Sequence, residues 1–171
     1  MLGPVLAVLF IFYIFINRGI NLFVPDTPIA YTHILSVASI KPEKFGIKIT
    51  SPSEGDRVSK PTEVKGTYEY IPENTRLSIY FVNNSQTYCW INVSPVIIDH
   101  HSKTWKSKIY IGSDTDINIE YYIVIALEDI ATEPWFTFYK EVSAETKNWR
   151  PLKYPLPKTV NEVKKIRVYR K

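Results

Sequence analysis

A mainly β chain is predicted: one antiparallel β-sandwich carried behind an N-terminal transmembrane helix. Three observations predict it. Leu2 to Ile16 is an unbroken apolar run with no charged side chain. From Phe45 onward apolar and polar residues alternate with a period of two, the signature of half-buried strands. Tyr and Ile are abundant while Met occurs once, the bias of a β-rich chain. Apolar content of 45% and aromatic content of 14% support a packed core rather than disorder.

The anchor is assigned to residues 1–24. Helix over Leu2–Ile16 alone would rise about 22 Å, short of the roughly 30 Å hydrocarbon layer. Extension through Asn17, Arg18 and Asn21 to Val24 reaches about 34 Å and spans it. Arg18 can carry its charge to the headgroups along its aliphatic stem. A cleaved signal peptide fits less well: no Lys or Arg precedes the run, and no small-residue cleavage site follows it. Gly3 and Ala7 form a small-xxx-small pair suited to packing on another helix, although Pro4 stands between them.

Residues 25–43 read as a connector punctuated by Pro25, Pro28 and Pro42, none of which continues a helix. The domain proper is assigned to residues 44–171, about 130 residues and enough for one core.

Its strands follow in order. Ile47 and Ile49 alternate with Lys48 and Thr50, and Ser51-Pro52-Ser53-Glu54-Gly55-Asp56 then turns the chain. Val64, Gly66, Tyr68 and Tyr70 share one face of the next strand, and Leu77, Ile79 and Phe81 that of the one after. Tyr88–Val93 is a weaker candidate. Trp105, Ser107, Ile109 and Ile111 alternate with Lys106, Lys108 and Tyr110. The clearest alternation runs from Ile117 to Leu127, with Ile117, Ile119, Tyr121, Ile123, Ile125 and Leu127 on one face. Residues 132–155 interrupt the rhythm as an insertion. Thr132-Glu133-Pro134 is a helix start and Arg150–Pro157 is extended. Residues 160–170 form the closing strand, with Ile166 and Val168 inward.

The run Ile49-Thr50-Ser51-Pro52-Ser53-Glu54-Gly55-Asp56, followed by Val64-Lys65-Gly66-Thr67, resembles the opening of prokaryotic immunoglobulin-like modules. Those modules commonly begin with an S-P-x-x-G turn and a V-x-G strand. Trp105 ahead of Ile111-Gly112 and the closing Ile166-Arg167-Val168 are similar too. The resemblance implies an Ig-like β-sandwich. It implies no particular activity, because such modules serve as spacers, adhesive domains and sensors.

Catalytic chemistry is not expected. No G-x-S-x-G elbow, phosphate-binding glycine loop or H-E-x-x-H occurs. The three histidines, His33, His100 and His101, include the Asp99-His100-His101 run, which reads as a solvated loop rather than a metal motif. Cys89 is the one cysteine, so an internal disulfide and a cysteine zinc site are excluded. Asp114, Asp116 and Asn118 are spaced like the start of a calcium loop, but Ile119 stands where an EF-hand needs Gly. A looser calcium site with Glu54 or Asp56 stays open, and no cofactor is expected.

The function expected is a non-catalytic, membrane-anchored binding or sensing module that recognises a protein or a glycan. Trp90, Trp135, Trp149 and Tyr154 are its candidate contacts, being aromatics with no place in the alternation. Lys164, Lys165 and Arg167 join them, since from Arg150 to Lys171 the basic residues face only Glu162. That tail suits an anionic lipid surface or serves as a lysine-guarded edge strand. Nucleic acid is not expected as a partner. The alternative function is a structural accessory subunit, with Gly3 and Ala7 packing in a larger membrane complex. Arg18 alone gives little positive-inside bias. Two N-x-S sites, at Asn83 and Asn92, leave the side of the membrane open. The soluble domain is expected outside the cytoplasm.

Overall fold

A computed structural model of the chain describes residues 40–130, 133–156 and 160–171, with backbone alone over 133–136. The predicted anchor, with Gly3 and Ala7, and nearly all of the connector fall outside the described residues. Among the described residues no helix is long and apolar enough to cross a membrane.

Among the described residues, ten strands and one α-helix follow in chain order. The first seven strands are β1 (Lys48–Ser51), β2 (Arg57–Val58), β3 (Thr62–Thr67), β4 (Thr75–Asn83), β5 (Tyr88–Ile91), β6 (Ile97–Asp99) and β7 (Thr104–Ile109). Then come β8 (Glu120–Asp129), α1 (Glu133–Thr146), β9 (Leu152–Lys153) and β10 (Val160–Arg170). They form two sheets, a four-stranded one in the order β1-β3-β7-β6 and a six-stranded one in the order β2-β10-β8-β4-β5-β9. The pairing is antiparallel except between β10 and the short β2, which run parallel. The helical insertion before the closing strand is present as expected.

The main core lies between the sheets. Val64, Trp105 and Ile109 of the smaller sheet meet Leu77, Ile79, Ile123, Ile125, Leu127, Ile166 and Val168 of the larger one. These are the residues that the period-two alternation turns inward. A second apolar cluster covers the opposite face of the larger sheet. Tyr80, Val82, Cys89, Ile91, Val124 and Ala126 pack there with Tyr139, Leu152 and Tyr154 from the insertion and with Leu156 just after it. β8 is therefore buried on both faces over Ile123–Glu128.

Several expectations are corrected. Phe45 does not open a strand. Pro42–Phe45 is a 3-10 turn ended by left-handed Gly46, and the Phe45 carbonyl accepts the amides of Glu69 and Tyr70 at 3.0 and 3.1 Å. Ile40, assigned to the connector, packs on the core, and its carbonyl accepts the Asn161 amide side chain at 2.8 Å. The long strand begins at Glu120 rather than Ile117, leaving Ile117 and Ile119 exposed in a turn. β10 pairs with β8 along most of its length and with the two-residue β2 only at Tyr169 and Arg170. The turn predicted at Ser51–Asp56 lies along it, with the Gly55 amide donating to the Arg167 carbonyl at 2.8 Å.

Candidate functional site

The smaller sheet does not cover all of the larger one. Past Ile79 the inward face of β4 continues to Phe81, which sits opposite Trp90 of β5 in register. The two rings stack with centroids 5.7 Å apart and planes 9° from parallel. Tyr121 of β8 and Tyr110, which follows β7, face the same opening. Trp149, beyond α1, closes its far side. Together these five aromatic residues line a cleft of about 600 Å³, within the size range of small-ligand sites. Tyr110 is 47% exposed and Trp149 40%, whereas Tyr121 is 8% exposed.

Each wall has a local cause. Trp90 is held by its stack on Phe81 and by its indole Nε1, which donates to the Trp149 carbonyl at 3.1 Å. Trp149 in turn meets Tyr139 of α1 edge-on, with centroids 6.3 Å apart, and the Tyr139 hydroxyl donates to the Arg150 carbonyl at 2.9 Å. Asn92 stitches the floor to the smaller sheet, its side-chain amide donating to Ser107 Oγ at 3.0 Å and to the carbonyls of Ser94 and Lys108 at 3.2 Å.

The remaining wall is the loop from Gly112 to Ile119. Asp116 Oδ2 accepts the Ser113 amide and the Tyr121 hydroxyl, both at 2.7 Å. These bonds, the Ser113 amide first, hold the Asp116 carboxyl below the usual carboxylate range. Burial and the Asp116 carboxylate together push the Tyr121 phenol up. Gly112 has φ +69°, and a Cβ there would lie 2.8 Å from Asp116 Oδ2. The positive φ favours glycine, and a Cβ would push against the Asp116 carboxylate.

The same contacts bear on the calcium reading. Asp116 receives donors, while Asp114 faces the Lys60 ammonium at 3.4 Å. Glu54 pairs instead with Arg167 at 3.3 Å. Among the described residues no three His, Cys, Asp or Glu side chains are grouped to hold a metal ion. The Asp99-His100-His101 run is a turn: Asp99 Oδ1 accepts the amides of His101 and Ser102, and His100 Nδ1 meets the Tyr68 hydroxyl at 2.9 Å.

Of the predicted contacts, Trp90 and Trp149 come together at the cleft. Trp135 lies in α1, and its side chain is outside the described residues. Tyr154 is elsewhere and committed internally: half-buried in the second cluster, it donates to Glu162 Oε2 at 2.7 Å. The basic residues are largely engaged. Lys165 lies over the rings of Tyr122 and Tyr154 at 5.3 and 5.8 Å and donates to Gln86 at 3.0 Å. Arg167 pairs with Glu54 and approaches Glu120 at 3.9 Å. Lys164 is exposed. Tyr110 and Tyr121 were not foreseen as site residues, and Asp116 was read only as a candidate calcium ligand. Tyr110 carried the one available signal, an aromatic on the outward phase of a strand.

A buried charge lies outside the cleft. Glu128 is fully buried, opposite Arg76 in register, and Arg76 Nη2 donates to its Oε2 at 2.9 Å. The Tyr80 hydroxyl donates to its Oε1. Burial pushes the Glu128 carboxyl up, against the opposing pull of those hydrogen bonds.

No known family and no curated protein matches the chain. A solved structure of PcoC, a methionine-rich copper resistance protein from Escherichia coli, covers 73% of this chain and 98% of its own. The two are 8% identical, with a TM-score of 0.36. Likeness that remote carries no ligand or role to this chain.

Proposed function

We propose that this protein is a membrane-tethered, non-catalytic binding module of the immunoglobulin-like type, held outside the cytoplasm by residues 1–24. Its site is the aromatic cleft, and its partner is a protein or a glycan. The observation that carries this reading is the cleft itself. Five aromatic residues from β4, β5, β8, the segment after β7 and the insertion converge on one opening, and two of them stay nearly half exposed. Large aromatics left at a concave surface are the residues that anchor partners. The Ser51–Asp56 turn and the Val64–Gly66 strand support the immunoglobulin-like assignment.

The test uses the full chain in nanodiscs, probed against glycan and peptide arrays. Specific retention that Tyr110→Ala and Trp149→Ala both abolish is expected. Both substitutions alter exposed rings and leave the core intact. Retention unchanged in both variants would remove the cleft as the site, and no retention at all would favour the accessory-subunit role.

A further inference from the structure

The ligand class can be taken one step further, resting on the cleft being the binding site. We propose that the cleft recognises a quaternary ammonium group, with Trp90, Tyr110 and Trp149 offering ring faces and Asp116 supplying the counter-charge. Aromatic faces carry the negative side of the ring quadrupole, so a cation with an apolar skirt of methyl groups suits them twice over. Phe81 and Tyr121 extend that lining inward.

Charge decides between this and a neutral ligand. Two residues that line the cleft carry full charge, Lys60 and Asp116. The Lys60 ammonium lies 3.4 Å from Asp114, so that pair sums to zero. Asp116 forms no ion pair among the described residues. Buried Arg170 also favours its ionised form, without pairing with it directly. Asp116 is thus the lining charge without an ion pair among the described residues, and it stands beside several rings. Part of the polar lining is already engaged and is not free for the hydroxyls of a glycan. Asn92 spends its amide protons on Ser94, Ser107 and Lys108, and Tyr121 spends its hydroxyl on Asp116. An apolar peptide side chain would leave the Asp116 charge uncompensated against it. A primary ammonium would give up tight hydration that the ring-lined walls do not replace.

The experiment titrates the full chain, in nanodiscs of lipids without choline headgroups, with choline and with its neutral isostere dimethylbutanol, by calorimetry. Choline is expected to bind about tenfold tighter than the alcohol or better. Asp116→Asn should weaken choline by about the same factor and leave the alcohol unchanged. Tyr110→Ala, at an exposed ring, should weaken choline without unfolding the chain, and so serves where Asp116→Asn disturbs its loop. Equal affinity for choline and alcohol would overturn the ammonium preference and leave the binding cleft standing. Choline binding indifferent to both substitutions would overturn the assignment to this cleft. If choline fails to bind while an array ligand depends on Tyr110, this inference falls alone; if neither binds, the module reading falls with it. Competition by a trimethyl-lysine peptide or by phosphatidylcholine vesicles then separates a protein source of the group from a lipid one.

Discussion

The indole of Trp90 donates to the main-chain carbonyl of Trp149 at 3.1 Å, joining β5 to the segment beyond α1. One residue belongs to the sandwich and the other to the insertion that interrupts it. The far wall of the cleft is therefore supplied by the part of the chain that departs from a simple sandwich, and this bond joins the two at the cleft itself.

Trp90→Phe keeps a ring for the stack on Phe81 and removes only the donor. The bond is solvent-accessible, so global stability should fall by no more than about 1 kcal/mol. Local effects should be larger than that. Hydrogen exchange over residues 147–151 should speed up while the strands stay protected. Unchanged exchange there would mean that the Trp149–Tyr139 contact alone holds the wall.

Gly66 faces Trp105 across the β3–β7 ladder. A Cβ at this position would lie 1.9 Å from the Lys48 carbonyl oxygen and 2.5 Å from the buried indole. The first neighbour is backbone and the second is a core side chain, so neither yields cheaply. Gly66→Ala should cost about 3 kcal/mol, the upper end for overpacking, read as a lower urea midpoint at unchanged m-value. A cost near zero would mean that β1 can slide away from β3 without penalty.

Much of this architecture was legible in the chain, and the exceptions have physical causes. Period-two alternation located β3, β4, β7 and the core of β8, because one face of each meets the other sheet. It overran at Ile117 and Ile119. Asn118 there adopts φ +64°, and its amide donates to the Arg170 carbonyl at 2.8 Å. A turn fixed by a partner 52 positions along the chain leaves no local trace. Alternation also gave no hint that Val124 and Ala126 are covered, since that depends on where the insertion docks. The two-residue strands β2 and β9 exist only by pairing with β10 and β5. Trp90 and Trp149 stood out as unplaced aromatics, but their convergence with Tyr110 and Asp116 is a product of topology.

Glu128 makes the pH dependence of stability unusual at one site. Burial raises its folded-state pKa above the ordinary 4.5. A carboxyl raised in this way weakens the fold when ionised in both states. Stability is recovered as pH falls through the folded value and is complete below the unfolded one. Asp116, held low, acts in the opposite sense and loses its contribution as pH falls through its folded value. Urea unfolding of the wild type and of Glu128→Gln across this range isolates the first effect. The wild type should gain on the variant as pH drops from neutral towards 4.5. A difference that is flat with pH would mean that Tyr80 and Arg76 cancel the burial penalty.

Cys89 supplies a silent background for testing whether the domain is held outside the cytoplasm. It is the chain's one cysteine, its side chain is fully buried, and burial pushes its thiol up to about 12. At neutral pH the thiolate fraction is on the order of 10⁻⁵, and no reagent reaches it without unfolding. A membrane-impermeant maleimide should leave the native wild type unlabelled and label it fully in denaturant. Lys171 follows the closing strand and is exposed, so Lys171→Cys adds one reactive thiol without touching the core. Labelling of that variant in intact cells is the outcome expected for a module held outside the cytoplasm. Labelling only after lysis would put the cleft on the cytoplasmic side, where the proposed quaternary ammonium would have to come from an intracellular protein or the inner leaflet.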